Sequence, residues 1–164
     1  MKRIDIRDIK ESAVSLINDG WGLVTAGTSE KFNPMTVSWG ALGEIWNKDA
    51  VIIFIRHSRY TYELLESGEL FTLSFYDEKY RSALTLCGKE SGRNIDKSKT
   101  AGLTPVSVDG AVTFDEAKYT LVCRIVASQE MDPAGFIDSS INDCYSGNDY
   151  HKMYIGEIIG VYEN

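Results

Sequence analysis

The sequence is poor in the features that mark membrane proteins, disulfide-stabilised proteins and metal sites. None of its apolar runs approaches the roughly eighteen residues that a membrane-spanning helix needs, and its N-terminal stretch MKRIDIRDIKESAV carries charges where a signal peptide needs an apolar centre. Its three cysteines, Cys87, Cys123 and Cys144, are odd in number and far apart, so they predict neither a disulfide framework nor a paired zinc motif. We therefore expect free thiols, no metal site, no membrane association and a cytoplasmic location.

Positive charge is also scarce. The chain has 17 Lys and Arg against 24 Asp and Glu, which gives a formal net charge of -7. A general nucleic-acid surface needs a net positive footprint, so we expect no nucleic-acid partner, and any anion site must be local. With 164 residues, 43% of them hydrophobic, the chain is long enough for one domain with a real core, and we expect a single domain over residues 1–164.

Segments rich in β-branched and aromatic residues recur along the chain and predict about seven strands. They are WGLVTAGT, MTVSWGAL, AVIIFIR, LFTLSFY, LTPVSV, YTLVCRIVASQEM and YIGEIIGVY. Helices are predicted for residues 8–20, with Asp8 as N-cap and Gly20 as the stop, and for RYTYELLESG and DEKYRSALTLCGKESG, each ending at a glycine. The pattern predicts a mainly β protein, an antiparallel barrel with flanking helices, because closure removes exposed strand edges.

The segment IRHSRYTYELLE, residues 55–66, gathers cationic and hydroxyl groups between a predicted strand and a predicted helix. Arg56, Ser58, Arg59 and Thr61 fall at or next to the turn. A helix N-terminus has unpaired backbone N–H groups and about half a positive charge, and guanidinium and hydroxyl groups add donors suited to a dianion. We interpret this turn as a phosphate site. The alternative is that Ser58 caps the helix and the arginines pair with surface acids.

A second cluster, CGKESGRNIDK at residues 87–97, holds two glycines together with Ser91, Arg93, Asp96 and Lys97. It has neither the spacing of a Walker phosphate loop nor that of the dinucleotide fingerprint. Taken alone, such a segment is more often a solvated helix end.

A third cluster, NPMTVSWGALG at residues 33–43, places hydrogen-bonding and stacking groups in a strand that otherwise resembles core. They are Asn33, Thr36, Ser38 and Trp39. An alternating strand usually sends such residues to solvent, and in isolation that interpretation is the stronger one.

In this order, the segments NPMTVSWG, IRHSRYTYELLE, LFTLSFYDEKYRSALTLCGKESGRNIDK and HKMYIGEI resemble the flavin reductase-like FMN-binding family, particularly its flavoredoxin-type members. The resemblance covers roughly residues 20–160. It implies an FMN-binding split β-barrel, antiparallel and Greek-key-like, that forms a homodimer and binds FMN near the subunit interface. The flavin would exchange electrons with a nicotinamide or with a protein partner.

The resemblance also implies which residues bind the cofactor. Those on the FMN phosphate are Arg56, Ser58, Arg59, Tyr60 and Thr61. Those along the flavin ring are Asn33, Thr36, Val37, Ser38 and Trp39. Those in the loop that faces the polar side of the flavin are Ser91, Gly92, Arg93 and Lys97. A cation in that loop would stabilise an anionic reduced flavin.

His151, in HKMYIGEI, matches a family histidine near the flavin ring and is a possible functional switch. A lone histidine can equally be an ordinary surface residue. A tyrosine precedes it where the family more often has an acidic residue. Cys87 lies in the family loop, but a single cysteine on the last turn of a helix is usually just packed.

Two functions follow from the resemblance. The first is an NAD(P)H-dependent flavin reductase, with NADH or NADPH as electron donor, in which hydride passes from nicotinamide to flavin. That step needs no protein acid or base, so no catalytic residue is assigned with certainty. The alternative is an FMN electron carrier without its own nicotinamide site, reduced by a protein partner. A barrel that has lost its flavin is disfavoured because Arg59, Thr61 and Lys97 are present.

Overall fold

The computed structural model describes residues 1–164, apart from the side chain of Ser146. Across the described residues the chain forms ten strands and three α-helices. The strands are β1 (Lys2–Arg3), β2 (Gly22–Gly27), β3 (Phe32–Val37), β4 (Gly40–Ile45), β5 (Lys48–Arg56), β6 (Leu70–Phe75), β7 (Pro105–Val108), β8 (Ala111–Phe114), β9 (Tyr119–Glu130) and β10 (His151–Glu163). The helices are α1 (Tyr60–Ser67), α2 (Arg81–Lys89) and α3 (Lys97–Ala101).

Eight of the strands form one antiparallel sheet in the order β3-β2-β6-β9-β10-β5-β4, with β1 added on β10, and β7 and β8 form a separate hairpin. In the described residues, the end strands β3 and β4 do not pair with each other. Yet only Ser38 and Trp39 connect them. Three steps of chain span at most about 11 Å, so the two edges approach closely at this point and the sheet curls into a barrel that stays split. The predicted split barrel is confirmed.

Alternation along the strands fills the barrel with apolar side chains. Its fully buried members include Val24, Val51, Ile53, Ile55, Phe71, Leu73, Leu121 and Tyr154. A second apolar cluster lies under α2 and contains Leu23, Leu84, Cys87, Leu103 and Phe114. α2 is therefore held on the barrel by core contacts, and it carries the loop that follows it to the edge strand β3.

One predicted strand differs from the observed ones, and the observed strands β1 and β8 were not predicted. MTVSWGAL is not one strand, because the chain leaves the edge of β3 at Ser38 and starts β4 at Gly40. β8 was missed, although Asp109 and Gly110 before it have the positive φ values of 46° and 80° that a tight two-residue hairpin requires. The sequence Asp-Gly between apolar residues was the available signal.

The helix predicted for residues 8–20 is shorter and wider than expected. Its regular part is a π-helix, Ser15–Gly20, whose first backbone N–H donates to the Ser12 hydroxyl at 3.0 Å. Asp8 is not its N-cap, because its carboxylate accepts a hydrogen bond from the Asp5 N–H at 3.1 Å in a separate 3-10 turn.

The two predicted helices that follow are present as α1 and α2. α1 ends before Gly68 as predicted. α2 ends at Lys89 with Glu90 after it, so the prediction that it closes at a glycine is wrong. Gly88 lies inside its last turn, where an added Cβ would be 3.4 Å from the Thr36 side chain, so this glycine serves the packing of α2 on β3. No helix within the described residues is long and apolar enough to cross a membrane.

Candidate functional site

A cleft opens between α1, β3 and the loop that joins α2 to α3. Its polar end has a volume of about 370 Å³ and is lined by Asn33, Met35, Arg56, Ser58, Arg59, Tyr60, Thr61, Glu90, Ser91, Gly92, Lys97 and Asp149. An adjoining aromatic end of about 240 Å³ shares Met35, Arg56 and Arg59 and adds Thr36, Val37, Ser38, Trp39, Phe54 and His151. Arg93 lines a neighbouring hollow together with Asn33 and Gly92. The structure thus brings all the predicted site residues to one region.

The start of α1 forms the floor of the polar end. β5 ends at Arg56, and the Arg59 N–H donates to the Arg56 carbonyl at 3.0 Å, which turns the chain into the helix. Arg59 is the N-cap residue and its side chain makes no capping hydrogen bond. The first backbone N–H groups of a helix have no carbonyl partner within it and carry partial positive charge. Since Tyr60 and Thr61 line the cleft, this end of α1 favours an anion there.

The three arginines near this turn differ in their partners. Arg56 donates to the Cys144 carbonyl at 2.9 Å. Arg93 donates to the Ser58 carbonyl at 3.0 Å and pairs with Glu63. Arg59 makes no side-chain hydrogen bond or ion pair with any other described residue, and it lines both ends of the cleft. The alternative, in which the arginines of the turn pair with surface acids, is therefore wrong for both Arg56 and Arg59.

Asn33 and Thr61 fix the wall of the polar end. Both are buried, and the Asn33 amide donates to the Thr61 hydroxyl oxygen at 2.7 Å. The Thr61 hydrogen therefore stays available for another acceptor. A Cβ on Gly92 would lie 1.8 Å from the Asn33 amide oxygen, so only glycine lets the loop after α2 approach β3 this closely.

Lys97 is a buried cation at the same wall. It is 4% exposed, and its ammonium donates to the carbonyls of Pro34 at 3.0 Å and Cys87 at 2.8 Å. Burial lowers the pKa of Lys97 to about 8, which leaves it mostly protonated at neutral pH. The sequence placed Lys97 in a loop, whereas it is the first residue of α3, after Asp96, whose carboxylate accepts the Lys99 N–H at 3.1 Å.

The aromatic end is built around His151 at the start of β10. Its Nδ1 lies 2.9 Å from the Tyr145 hydroxyl, and its ring lies 5.1 Å from that of Trp39. Burial and the positive charge of Arg56 lower the pKa of His151 to about 4. His151 is 8% exposed, so it is not an ordinary surface residue, and its surroundings favour the neutral ring.

The remaining predicted ring residues play different parts. Trp39 is 44% exposed at the rim. Thr36 uses its hydroxyl to bind the Leu84 carbonyl of α2, and the Val37 side chain is packed in the barrel core. Ser38 is exposed in the connection between β3 and β4. Of the residues predicted in this segment, Asn33 and Trp39 therefore contribute the side chains that define the cleft.

The flavin reductase like domain model matches residues 14–164. The chain belongs to this family.

Solved structures with the flavin reductase-like fold agree over most of the chain. A flavoredoxin from Methanosarcina acetivorans is 20% identical with a TM-score of 0.72, and the match covers 100% of this chain and 76% of that one. An FMN-binding protein from Thermus thermophilus with bound p-hydroxybenzaldehyde is 18% identical with a TM-score of 0.68, covering 88% and 71%. An NADH:FAD oxidoreductase from Streptomyces globisporus is 20% identical with a TM-score of 0.66, covering 88% and 74%. A search of the curated proteins finds no match.

Sequence reasoning missed four residues of the cleft in this flavin reductase-like domain: Met35, Phe54, Glu90 and Asp149. Met35 is two residues from Asn33 on β3, and Phe54 is two residues from Arg56 on β5. Because every second residue of a strand faces the same side, strand periodicity was the available signal. Asp149 reaches the cleft from 91 positions along the chain, through a hydrogen bond from the Ser58 hydroxyl to its Oδ2 at 2.6 Å. No local pattern signals that contact. It also shows that Ser58 does not cap α1.

No cysteine lines the polar or the aromatic end of the cleft in the described residues. Cys87 lies on the buried face of α2 and is fully buried, and burial raises the pKa of its thiol to about 11. Cys123 is also fully buried, in the barrel core. Cys144 is exposed and contributes its carbonyl to Arg56. The expectation that Cys87 is a packed residue agrees with this burial, since a thiolate is needed for reactivity. In the described residues, no group of three or more His, Cys, Asp or Glu is placed to hold a metal ion.

Proposed function

We propose that the protein binds FMN and acts as an NAD(P)H:flavin reductase. One observation carries the proposal: the uncapped start of α1 and the unpaired guanidinium of Arg59 face the same end of a cleft whose other end is aromatic. The helix start and the guanidinium suit a phosphate dianion, and the aromatic end suits a planar ring. Family membership supports the same conclusion.

The residues of the cleft fit FMN in their donor chemistry. At the phosphate end, Arg59 and the Thr61 hydroxyl would hold the dianion together with the first backbone N–H groups of α1. At the ring end, Trp39 would pack beside the isoalloxazine, whereas Asn33 and Lys97, on the wall of the polar end, would face polar groups of the ligand there. The volumes of about 370 and 240 Å³ are within the range of small-molecule sites.

When bound, a flavin supplies the chemistry of hydride acceptance, and the protein needs no acid or base for that step. Lys97 holds a positive charge at a fixed place, because two backbone carbonyls anchor its ammonium. That charge stabilises negative charge on a neighbouring ligand, with more effect than in water because the site is buried. Neutral His151 packs against Trp39 and Phe54 and so shapes the aromatic end, and in the flavin-free protein the Tyr145 hydroxyl holds its ring.

The test is the visible spectrum of the purified protein with added FMN, followed anaerobically by each nicotinamide. Bleaching of the flavin absorbance by NADH or NADPH at a rate above that of free FMN supports the reductase. A shifted flavin spectrum that neither nicotinamide changes would reject the reductase and favour the carrier. An unshifted spectrum together with no binding by equilibrium dialysis would reject both.

The electron-carrier alternative has one observation of its own. Trp39 at the aromatic end is 44% exposed, and the loop that packs on this end presents the fully exposed Ile137. An apolar surface beside the flavin ring suits the short contact of a protein electron donor or acceptor. The reductase takes electrons from NADH or NADPH, whereas the carrier takes them from a protein, so reduction of the flavin by nicotinamide distinguishes the two functions.

A further inference from the structure

The turn before α1 contacts a carboxylate of this same chain. The Ser58 hydroxyl donates to Oδ2 of Asp149 at 2.6 Å, and the Ser58 backbone N–H donates to Oδ1 at 3.3 Å. Asp149 lines the polar end of the cleft beside Arg59. Carboxylate and phosphate oxygens are bound by the same kinds of donor, so an aspartate here takes the contacts that a phosphate would take.

Asp149 belongs to the β9–β10 loop, residues 131–150, which holds the turn at a second place. Arg56 donates to the Cys144 carbonyl at 2.9 Å, and its guanidinium lies 5.3 Å from the centre of the Tyr145 ring. Tyr145 in turn contacts the aromatic end, because its hydroxyl is 2.9 Å from Nδ1 of His151. Contacts of this loop therefore run from the phosphate end of the cleft to the aromatic end.

We propose that Asp149 is a specificity-determining residue that competes with a ligand phosphate for Ser58, so that phosphate binding releases the β9–β10 loop from the cleft. This inference rests on the proposed function. Two anions that share one pair of donors repel each other, so the phosphate and Asp149 hold Ser58 in turn rather than together. Arg59 has no partner among the described residues, so it binds the phosphate without first releasing another group.

The consequence is a loop that responds to the phosphate and not to the ring. FMN, which carries the dianion, displaces Asp149 and loosens the loop, whereas riboflavin has the same ring and leaves the Ser58–Asp149 contact in place. Asp149 therefore lowers the affinity for FMN below what the turn alone would give, and it leaves the affinity for riboflavin unchanged.

The test compares Asp149→Asn with Asp143→Asn. Both changes remove one negative charge from the same loop, but Asp143 is exposed and makes no side-chain hydrogen bond to another described residue. We titrate FMN and riboflavin into each flavin-free protein and follow flavin fluorescence. Because a charge-assisted hydrogen bond to a competing anion is lost, Asp149→Asn should bind FMN about three- to tenfold more tightly than wild type, with riboflavin unchanged within about twofold. Asp143→Asn should leave both affinities within about twofold of wild type.

A second readout follows the loop directly by hydrogen exchange of peptides that cover residues 136–150. In wild type, saturating FMN should speed exchange in these peptides relative to saturating riboflavin. In flavin-free Asp149→Asn, exchange should already be faster than in flavin-free wild type or Asp143→Asn.

Three outcomes would overturn the inference. Weaker FMN binding by Asp149→Asn would mean that Asp149 organises the turn for phosphate. An equal gain in Asp143→Asn would mean a general charge effect. Slower exchange with FMN than with riboflavin would mean that the phosphate does not displace the loop. Equal affinities of wild type for FMN and riboflavin would instead reject the proposed phosphate site itself, so that the two failures are distinguishable.

Discussion

Charge in the cleft is set by single side chains that share a region and differ in their partners. Arg56 and Arg93 are engaged by carbonyls, and Lys97 by two of them. Arg59 alone of these four makes no side-chain hydrogen bond or ion pair with the rest of the described chain. A cation without a protein partner gains most from a bound dianion, because it has no existing bond to break.

Arg59→Ala should therefore weaken FMN binding selectively. Loss of one charge-assisted hydrogen bond costs roughly 1.5 to 3 kcal/mol, which is about 10- to 150-fold in Kd. Riboflavin lacks the phosphate and should bind within about twofold of wild type. Fluorescence titration of both ligands measures this. Arg124→Ala is the control, since Arg124 is an exposed residue of β9 that pairs with Glu157 at 2.6 Å and does not line the cleft. Equal losses for FMN and riboflavin in Arg59→Ala would contradict a phosphate role.

His151 gives a prediction for stability against pH. Its pKa is about 4 in the folded protein and near 6.5 in an unfolded chain. The unfolded state therefore binds more protons between these values, and the contribution of His151 is complete above pH 6.5 and is lost as pH falls towards 4. The free energy of unfolding of wild type should drop by about 2 kcal/mol more than that of His151→Asn between pH 7 and pH 4.5.

Urea unfolding at the two pH values measures this drop. Carboxylates contribute equally to both proteins, so the difference isolates the histidine. The same drop in His151→Asn and wild type would show that His151 titrates normally.

At the level of secondary structure, the site depends on how closely the loop after α2 lies on the edge strand β3. Gly92 meets Asn33, Gly88 meets Thr36, and Lys97 ties α3 to the Pro34 carbonyl. These contacts join three elements that are separate in sequence. The loop is therefore positioned by backbone proximity, which a single added methyl group can disturb.

Gly92→Ala should lower both stability and flavin affinity. The new Cβ would lie 1.8 Å from the Asn33 amide oxygen and 3.0 Å from Tyr60, so Asn33 must turn away and lose its bond to Thr61. We expect a loss of roughly 1 to 3 kcal/mol in urea unfolding and weaker FMN binding. Gly43→Ala is the matched control, because a Cβ there meets no atom within 4 Å.

A double variant tests the cause. If the clash with Asn33 is responsible, adding Gly92→Ala to Asn33→Ala should cost much less than adding it to wild type. A full additional loss in the double variant would locate the damage elsewhere in the loop.

The same elements show what sequence reasoning can find. The turn from Arg56 to Thr61 was found because strand end, cations and helix start are contiguous, so local rules describe it. The break between β3 and β4 at Ser38 was not found, because strand-forming residues stand on both sides of it with no proline between. The break depends on how the sheet curls around strands that are distant in sequence. The contact of Asp149 with Ser58 links positions 91 apart and depends on the whole fold.

At the scale of the whole molecule, we propose that the protein is a homodimer. An apolar groove of about 360 Å³ runs between the N-terminal segment and strands β4 and β10, and its apolar lining includes Ile6, Ile9, Leu16, Leu42 and Ile158. Val14, next to it in sequence, is 70% exposed. A second copy could cover this surface, and stable dimers bury well over about 1,200 Å² in total.

Light scattering coupled to gel filtration at micromolar concentration should give twice the chain mass of 18.3 kDa. Leu42→Asp should shift the mass towards that of one chain. Val126→Asp places the same charge on an exposed part of β9 outside the groove and should leave the mass unchanged. A single-chain mass for wild type with FMN bound would rule out the dimer.

The split of the barrel also bears on solubility. Among the described residues, β3 pairs only with β2, so its other edge presents backbone groups to which a strand from another molecule can pair. Here that edge is blocked: Pro34 has no N–H to offer, its carbonyl is held by Lys97, and α2 packs on the strand through Thr36. The residues that shape the cleft thus also prevent aggregation through the edge of β3. A change that moves the loop after α2 away from β3 should therefore promote aggregation as well as disrupt the site.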